Sequence, residues 1–394
     1  TGGDWPQWRG PSRDAHVPAG AAWPRSLAHL SEVWRVPLGP GYSGPIVVGD
    51  RVIVTETEDK KREVVRALER ATGKELWRAA WEGAMSVPFF AKANGDWIRS
   101  TPACDGESVF VGGMRDVLVS LDLKDGSERW RVDFCAQAET PVPAFGFVSS
   151  PLIVGDHLVV QAGGGFAKLE KATGKIVWKI LEDGGGMNSA FSSPTLATLA
   201  GRRQILVQTR QNLVGVDPEH GDILWQQPVP AFRGMNILTP TVIGDGILTS
   251  TYKNRTYFYR VTAPGDGFAV KEAWNLRGQG YMSSPVVIDG FAYLPLGNGR
   301  LCCIDPRKGE ELWRTKSFGK YWSMAANGKQ VLALDERGEL LLIEADPAEF
   351  RLLDRKKVSE HDCWAHVAVS GDLVFVRDLA GVSCFRWAAG AGGE

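Results

Sequence analysis

Apolar and polar positions alternate with period two along most of the chain. "SGPIVVGDRVIVTE", "SSPLIVGDHLVVQAG", "LTPTVIGDGILTSTY" and "SSPVVIDGFAYLPLG" each read as a small residue, a short apolar strand, a Gly/Asp turn and a second apolar strand. A second pattern follows each of these: "ALERATGKELWR", "SLDLKDGSERWR", "KLEKATGKIVWK", "GVDPEHGDILWQ" and "CIDPRKGEELWR". It reads as strand, tight turn, strand, with glycine where the turn needs positive φ. Two strands plus two strands make one four-stranded unit.

The first pattern occurs eight times, counting the weaker "STPACDGESVFVGG", "SSPTLATLAGRRQILVQT", "SMAANGKQVLALDERG" and "AHVAVSGDLVFVRDLAG". Six copies of the second end in Trp77, Trp130, Trp178, Trp225, Trp274 and Trp313; the fifth, "YRVTAPGDGFAVKEAW", is stretched. In a seventh, "IEADPAEFRLLD", Leu352 or Leu353 is expected to stand for the tryptophan. Four strands repeating every ~40–50 residues is the period of a propeller blade, not of a helical solenoid. The last unit lacks a fourth strand, whereas "SEVWRVPL" at residues 31–38 resembles one and carries Trp34. The expected fold is therefore all-β: an eight-bladed β-propeller of four-stranded antiparallel blades, closed by an N-terminal strand that completes the last blade. Residues 1–30 are expected to form an arm packed on the ring, residues 31–387 the single propeller, and residues 388–394 a flexible tail.

Composition agrees. The 394 residues include 15 Trp, 46 Gly and 22 Pro, a usage suited to turns and regularly placed aromatics. A net charge of -1 gives no global field for nucleic acid, and no apolar run reaches the ~18 residues of a membrane span. The opening "TGGDW" is what an exported chain would show once its signal peptide is removed, so a periplasmic or extracellular, bacterial setting is expected.

"ATGKxxWxx" after "SSPVVxDGxxY" resembles the pyrroloquinoline-quinone (PQQ) enzyme repeat, over residues 31–387. "DWPQWRGPSRDA" is similar to the start of many secreted PQQ-like propellers. The resemblance implies the fold and two branches: quinoprotein alcohol dehydrogenases, and non-enzymatic eight-bladed propellers such as the periplasmic lipoprotein that assists outer-membrane barrel assembly. It also implies that Trp34, Trp77, Trp130, Trp178, Trp225, Trp274 and Trp313 dock neighbouring blades. The dehydrogenase branch carries a vicinal disulfide and a calcium or lanthanide held by Glu, Asn and Asp. Here Cys302 and Cys303 fall mid-strand, where adjacent side chains point to opposite faces, so they read as small buried hydrophobes. The pairing state of Cys363 and Cys384 stays open. Asn188 and Asn236 lie at suitable loop positions, with Asp362 the lone acid. "HDCWAH" has no standard metal spacing. No catalytic set and no metal site is expected.

Any site belongs on the face with the long inter-blade links, since the other face carries short uniform turns. Arg99, Phe147, Asn188, Arg233, Asn236, Gln279, Tyr281, Trp322, Trp364 and His366 are expected to crowd the mouth of the central channel, either as a binding site or as a plug. The expected function is a non-catalytic, monomeric binding or assembly scaffold for a protein, peptide or glycan, without a cofactor. The alternative is a PQQ-dependent alcohol or sugar dehydrogenase using PQQ with calcium.

Overall fold

The computed structural model describes residues 3–185, 189–265 and 267–387; the tail 388–394 lies outside them. Among the described residues the strands form eight four-stranded antiparallel sheets, arranged as the blades of a propeller. Seven take four consecutive strands. The eighth is composite: Ser31–Pro37 pairs antiparallel with Gly381–Arg386, from Ser31 opposite Arg386 to Pro37 opposite Gly381. The first strand thus closes the ring, and no blade is left with an unpaired outer edge from an incomplete sheet. Arg35 fastens the closure. It bonds the Ser383 hydroxyl at 2.9 Å and pairs with the buried Asp378 at 2.9 Å.

Apolar residues from facing sheets interdigitate between blades. Between the first two blades, for example, Ile46, Ile53 and Val65 meet Val109, Val111 and Val119. Each outer strand then reaches across to the next blade. A bulge in the outer strand aims one residue at the neighbour: Trp77 opposes Ala67, Trp130 opposes Ser120, and the register shifts at the next pair. The Trp34 indole donates to the carbonyl of Arg70 at 2.9 Å, Trp77 to Leu123 at 2.9 Å, Trp130 to Lys171 at 2.8 Å and Trp274 to Pro306 at 2.7 Å. Each ring lies on the turn glycine of the following blade. A Cβ on Gly126 would sit 2.4 Å from Trp77, and one on Gly174 would sit 2.6 Å from Trp130. Both glycines also have φ near 75°, so space and backbone demand the same residue.

Trp178 keeps only the glycine contact, on Gly221, and Trp313 only the carbonyl bond, to Asp346 at 2.9 Å; two further blades depart from both. The stretched fifth hairpin offers no glycine platform to Trp225. Its indole turns back into its own blade, lying against Gly215 and donating to Gln204 Oε1 at 2.6 Å. In the seventh blade the residue at the bulge is not Leu352 or Leu353. Leu342 pairs with Asp354 and Ile343 with Leu352, so Asp354 holds the tryptophan's place, and both leucines are exposed. Counting residues from the turn misses this, because the hairpin runs from Ile343 to Leu352, two residues longer than Leu68 to Glu75 in the first blade. Asp354 receives the Ser26 hydroxyl at 2.7 Å and the Leu27 amide at 2.6 Å. Leu27 and Leu30 then fill the seventh-to-eighth interface beside Leu340 and Leu342. A segment of the arm replaces the missing indole.

The arm goes further than lying over the ring: residues 5–17 enter the axis. Trp5 is bridged to Val47 of the first blade, the Cys104 amide of the second donates to Pro6 O, and Ala15 and Val17 bond Ala326 of the seventh. Arg9 bonds the Pro285 carbonyl of the sixth blade, and Arg13 bonds those of Pro151 and Ser150 at 2.6 and 3.0 Å in the third. Cys302 and Cys303 sit in one strand, Leu301–Asp305, and face different inter-blade cores, the first with Leu294 and the second with Tyr293. Both are free thiols, as are Cys363 and Cys384.

Candidate functional site

In five blades the inner strand begins at a pair of small residues, Ser43-Gly44, Ser100-Thr101, Ser149-Ser150, Ser192-Ser193 and Ser283-Ser284; Leu238-Thr239, Ser323 and His366 take that place in the fifth, seventh and eighth. These pairs are more than strand starts. The Gly44 amide donates to Thr101 Oγ1 at 3.0 Å, that of Thr101 to Ser150 Oγ at 3.1 Å, and that of Ser150 to Ser193 Oγ at 2.9 Å. Trp322 and Val367 donate likewise to Ser283 and Ser323, at 2.8 and 3.1 Å. Hydroxyl-to-amide bonds therefore pass from blade to blade around the axis. Each hydroxyl accepts from an amide, which leaves its own proton to be donated inward.

This ring forms the wall of an axial cavity of about 630 Å3, with Trp8 of the arm at its floor. The residue just before each small pair faces it: Tyr42, Arg99, Val148, Phe191, Ile237, Met282 and Trp322. The inter-blade links build an aromatic ladder around more than half of the rim. Phe232, Tyr252, Tyr281, Tyr321, Trp364, Tyr42 and Trp97 follow one another at centroid distances of 6.2, 5.0, 5.5, 4.2, 4.6 and 5.3 Å. Cations sit over the rungs. Arg99 lies 5.6 Å from the Tyr42 ring, Lys253 4.5 Å from Phe232, and Lys320 4.9 Å from Tyr281. Burial raises the Tyr281 phenol to about 12, so it stays neutral.

Of the residues expected here, Arg99, Arg233, Tyr281, Trp322, Trp364 and His366 line the cavity. Phe147 does not. Its ring is buried with Phe110 and Leu158 and lies against Gly112, while Phe145 and Val148 beside it face inward. The Asn236 amide is spent on the carbonyls of Thr209 and Arg210 at 3.0 and 3.2 Å. Gln279 accepts from the Asn254 amide at 3.2 Å and stays outside the lining. Asn188 lies outside the described residues. Sequence reading missed Trp8, Tyr42, Phe90, Phe191, Phe232, Tyr252 and Tyr321. The place before each small pair would have found Tyr42 and Phe191.

The chemistry of the lining is one-sided. Among the described residues it holds no aspartate, glutamate or cysteine. His366 is its one imidazole. It is buried against Trp5 and Trp8, with Nδ1 2.7 Å from the Val367 carbonyl. Burial, then the charge of Arg9, pushes it down to about 3, so it is neutral and no proton donor near neutral pH. A calcium ion requires six or more oxygen ligands, carboxylates prominent among them. That donor set is not here, and no group of three His, Cys, Asp or Glu suited to a metal occurs among the described residues. The cavity does not fit a cation-dependent quinone site. It can stack aromatic groups and donate hydrogen bonds.

Known proteins share the architecture. The matching family model, PQQ_2, described as outer membrane protein assembly factor BamB, covers residues 60–315. BamB of Yersinia pestis is 21% identical over 324 residues, spanning 80% of this chain and 68% of the relative. The structure of BamB from Moraxella catarrhalis superposes with a TM-score of 0.67 at 15% identity, over 93% of this chain and 100% of that one. Quinohemoprotein alcohol dehydrogenase from Comamonas testosteroni superposes with a TM-score of 0.70 at 13% identity, over 99% and 81%. At such identities the two superpositions show the fold alone. The family match covers well over half of the sequence, and this chain belongs to the PQQ_2 family, that of the outer membrane protein assembly factor BamB.

Proposed function

We propose that this chain is a non-catalytic periplasmic scaffold that binds a protein partner on its inter-blade loop face and serves outer-membrane protein assembly. The observation that carries the reading is the axial cavity: an aromatic, hydroxyl-lined cup on a rigid ring, with no carboxylate or cysteine to serve as base or nucleophile among its described residues. Membership in the BamB family supports the assembly role. The rim also presents apolar side chains to solvent, with Phe89 84% and Phe90 59% exposed. Exposed aromatics at a concave mouth are what a partner-binding patch requires. No cofactor enters the reading.

The test is retrieval of the outer-membrane barrel-assembly machinery from solubilised envelopes with the purified chain as bait. Phe90→Ser and Phe232→Ser at the rim are expected to abolish retrieval. Val177→Ser and Leu312→Ser, on the exposed outer strands, are expected to leave it intact. Retrieval lost only through the outer-strand variants would refute the assignment of the face. A saturable titration with PQQ and calcium, coupled to alcohol-dependent dye reduction, would favour the dehydrogenase instead.

A further inference from the structure

Two buried guanidiniums, Arg9 and Arg13, and the half-buried one of Arg99 surround the axial cavity with no carboxylate paired to them among the described residues. Arg99, in its wall, bonds only the carbonyls of Gly95 and Trp97, at 2.7 and 3.2 Å. Arg9 and Arg13 flank Trp8 at the floor, 5.5 and 5.6 Å from its ring. Their partners are neutral too: the carbonyls of Pro285, Asp14, Pro151 and Ser150, and the Gln7 amide oxygen. None of the three has a carboxylate within ion-pair reach among the described residues. Burial lowers their basicity, joined at Arg13 by the charge of Arg9: Arg13 falls to about 9 and Arg9 and Arg99 to about 10. The nearest acids are engaged elsewhere: Asp14, whose charge reaches Arg9, accepts the His16 amide at 2.9 Å. Asp96 accepts the Val87 amide at 2.8 Å, and Glu336 accepts the Trp364 indole and the Lys320 amide.

A buried cation without a counter-charge is costly, and an incoming anion recovers part of that cost. The inward hydroxyl donors point the same way. The shape adds a second fact: a groove of about 1050 Å3 leads away from the cavity and shares Phe90 and Arg233 with it. Apart from Gln211 the rest of its lining is apolar or basic, with Pro228, Pro230 and an Arg210 already paired to Asp183. A cup continued by a groove suits an extended chain better than a compact small molecule.

We propose that the axial cavity and its groove receive an acidic, aromatic-containing peptide segment of the partner, its carboxylates drawn to Arg99 and Lys253. This rests on the reading that the loop face binds a protein, and it specifies the chemistry of what enters. Phenyl groups of the segment stack on the tyrosine ladder. Its acids take the inward hydroxyls and the cations.

The test is fluorescence anisotropy of the full chain with a labelled decapeptide that alternates phenylalanine with aspartate and glutamate. Its counterpart carries asparagine and glutamine in place of the acids. The acidic peptide is expected to bind at least about tenfold tighter than the neutral one, with the preference falling as salt rises. Lys253→Glu, at an exposed position, is expected to remove about tenfold of the acidic peptide's affinity and leave the neutral one within about twofold. Arg99→Gln is expected to do the same. Equal binding of the two peptides, or indifference to Lys253→Glu, would overturn the proposal. Benzene tricarboxylate binding as tightly as the acidic peptide would also overturn it, by making the cavity a small-molecule site. Failure of the acidic peptide while the bait still retrieves the assembly machinery through Phe90 would sink this inference and leave the wider function standing.

Discussion

Trp34→Ala tests whether one indole closes the ring. The Trp34 side chain is 8% exposed, lies on Gly73 and touches Phe375 at a centroid distance of 6.0 Å. An indole buries about 150–250 Å2, which at ~25 cal/mol/Å2 is about 4–6 kcal/mol as an upper bound. Its N–H bond to the Arg70 carbonyl adds about 1 kcal/mol. Partial collapse of the site onto Gly73 returns some of this, so the expected loss is about 3–5 kcal/mol. Val33→Ala is the control: it lies in the same strand, is 38% exposed, and should cost under about 1 kcal/mol. Urea unfolding reads the midpoint, with an unchanged slope showing that the transition kept its character. Native-state hydrogen exchange reads the mechanism. The amides of Gly381–Arg386 that pair with Ser31–Pro37 should exchange faster in Trp34→Ala while those of inner strands do not. A loss below about 1 kcal/mol, or unchanged exchange in Gly381–Arg386, would refute the claim that the first strand is held mainly by its indole.

Asp354→Ala removes the acceptor that holds Ser26 and Leu27, and should speed tryptic cleavage after Arg25 and cost about 1–2 kcal/mol; cleavage at the wild-type rate would show that the leucines alone seat the arm. Gly126→Ala brings a methyl within 2.4 Å of Trp77 and should cost about 3 kcal/mol or more, whereas Gly155→Ala, with φ of 58° and open space, should cost about 1 kcal/mol. Equal melting temperatures for the two would refute the platform argument. Glu63 is enclosed between Trp81 and the Met114 amide, and burial raises it from 4.5 to about 7. A raised carboxyl binds its proton more tightly folded than unfolded, so this contribution is present below pH 4.5 and lost as pH rises to about 7. It amounts to about 2–4 kcal/mol. The difference in stability between wild type and Glu63→Gln should therefore change across that window, and a flat difference would refute it.

The fold was readable because a propeller writes the same local rule many times. Glycine at a turn and an indole four residues later are each weak signals, yet five copies in phase and a sixth, stretched one leave few alternatives. The exceptions were not readable, since they depend on contacts between blades. Trp225 looks like its siblings in sequence, and only the lengthened hairpin of the next blade sends its indole back to Gln204. The identity of Asp354 as the tryptophan's substitute hangs on a hairpin two residues longer than that of the first blade, with no glycine to mark its turn. For the site, position outperformed chemistry. Asn236 and Gln279 look functional because they are polar, but the Asn236 side-chain NH2 and the Gln279 side-chain oxygen are taken up by loop backbone. Tyr42 and Phe191 carry no polar signal comparable to an amide, although their place before the small pair fixes them on the axis.

The arm explains why an eight-bladed ring, which encloses a wide axis, presents a cup instead of a channel. Inner strands splay from the axis, and their Ser/Thr starts reach only their neighbours. Something else must close the middle. Residues 5–17 do so by bonding the first, second, third, sixth and seventh blades. That choice has an electrostatic consequence. A plug made of apolar side chains would leave the cup neutral, whereas this one brings Arg9 and Arg13 under Trp8. The same two side chains that tie distant blades together also set the sign of the cavity floor. His366 registers that field from above, held neutral partly by Arg9. Stability and recognition are thus coupled through one segment. Replacing Arg13 with a neutral residue should loosen the third blade's entry at Ser150 and Pro151 and weaken the attraction for an acid together, two effects that a purely structural arm would not link.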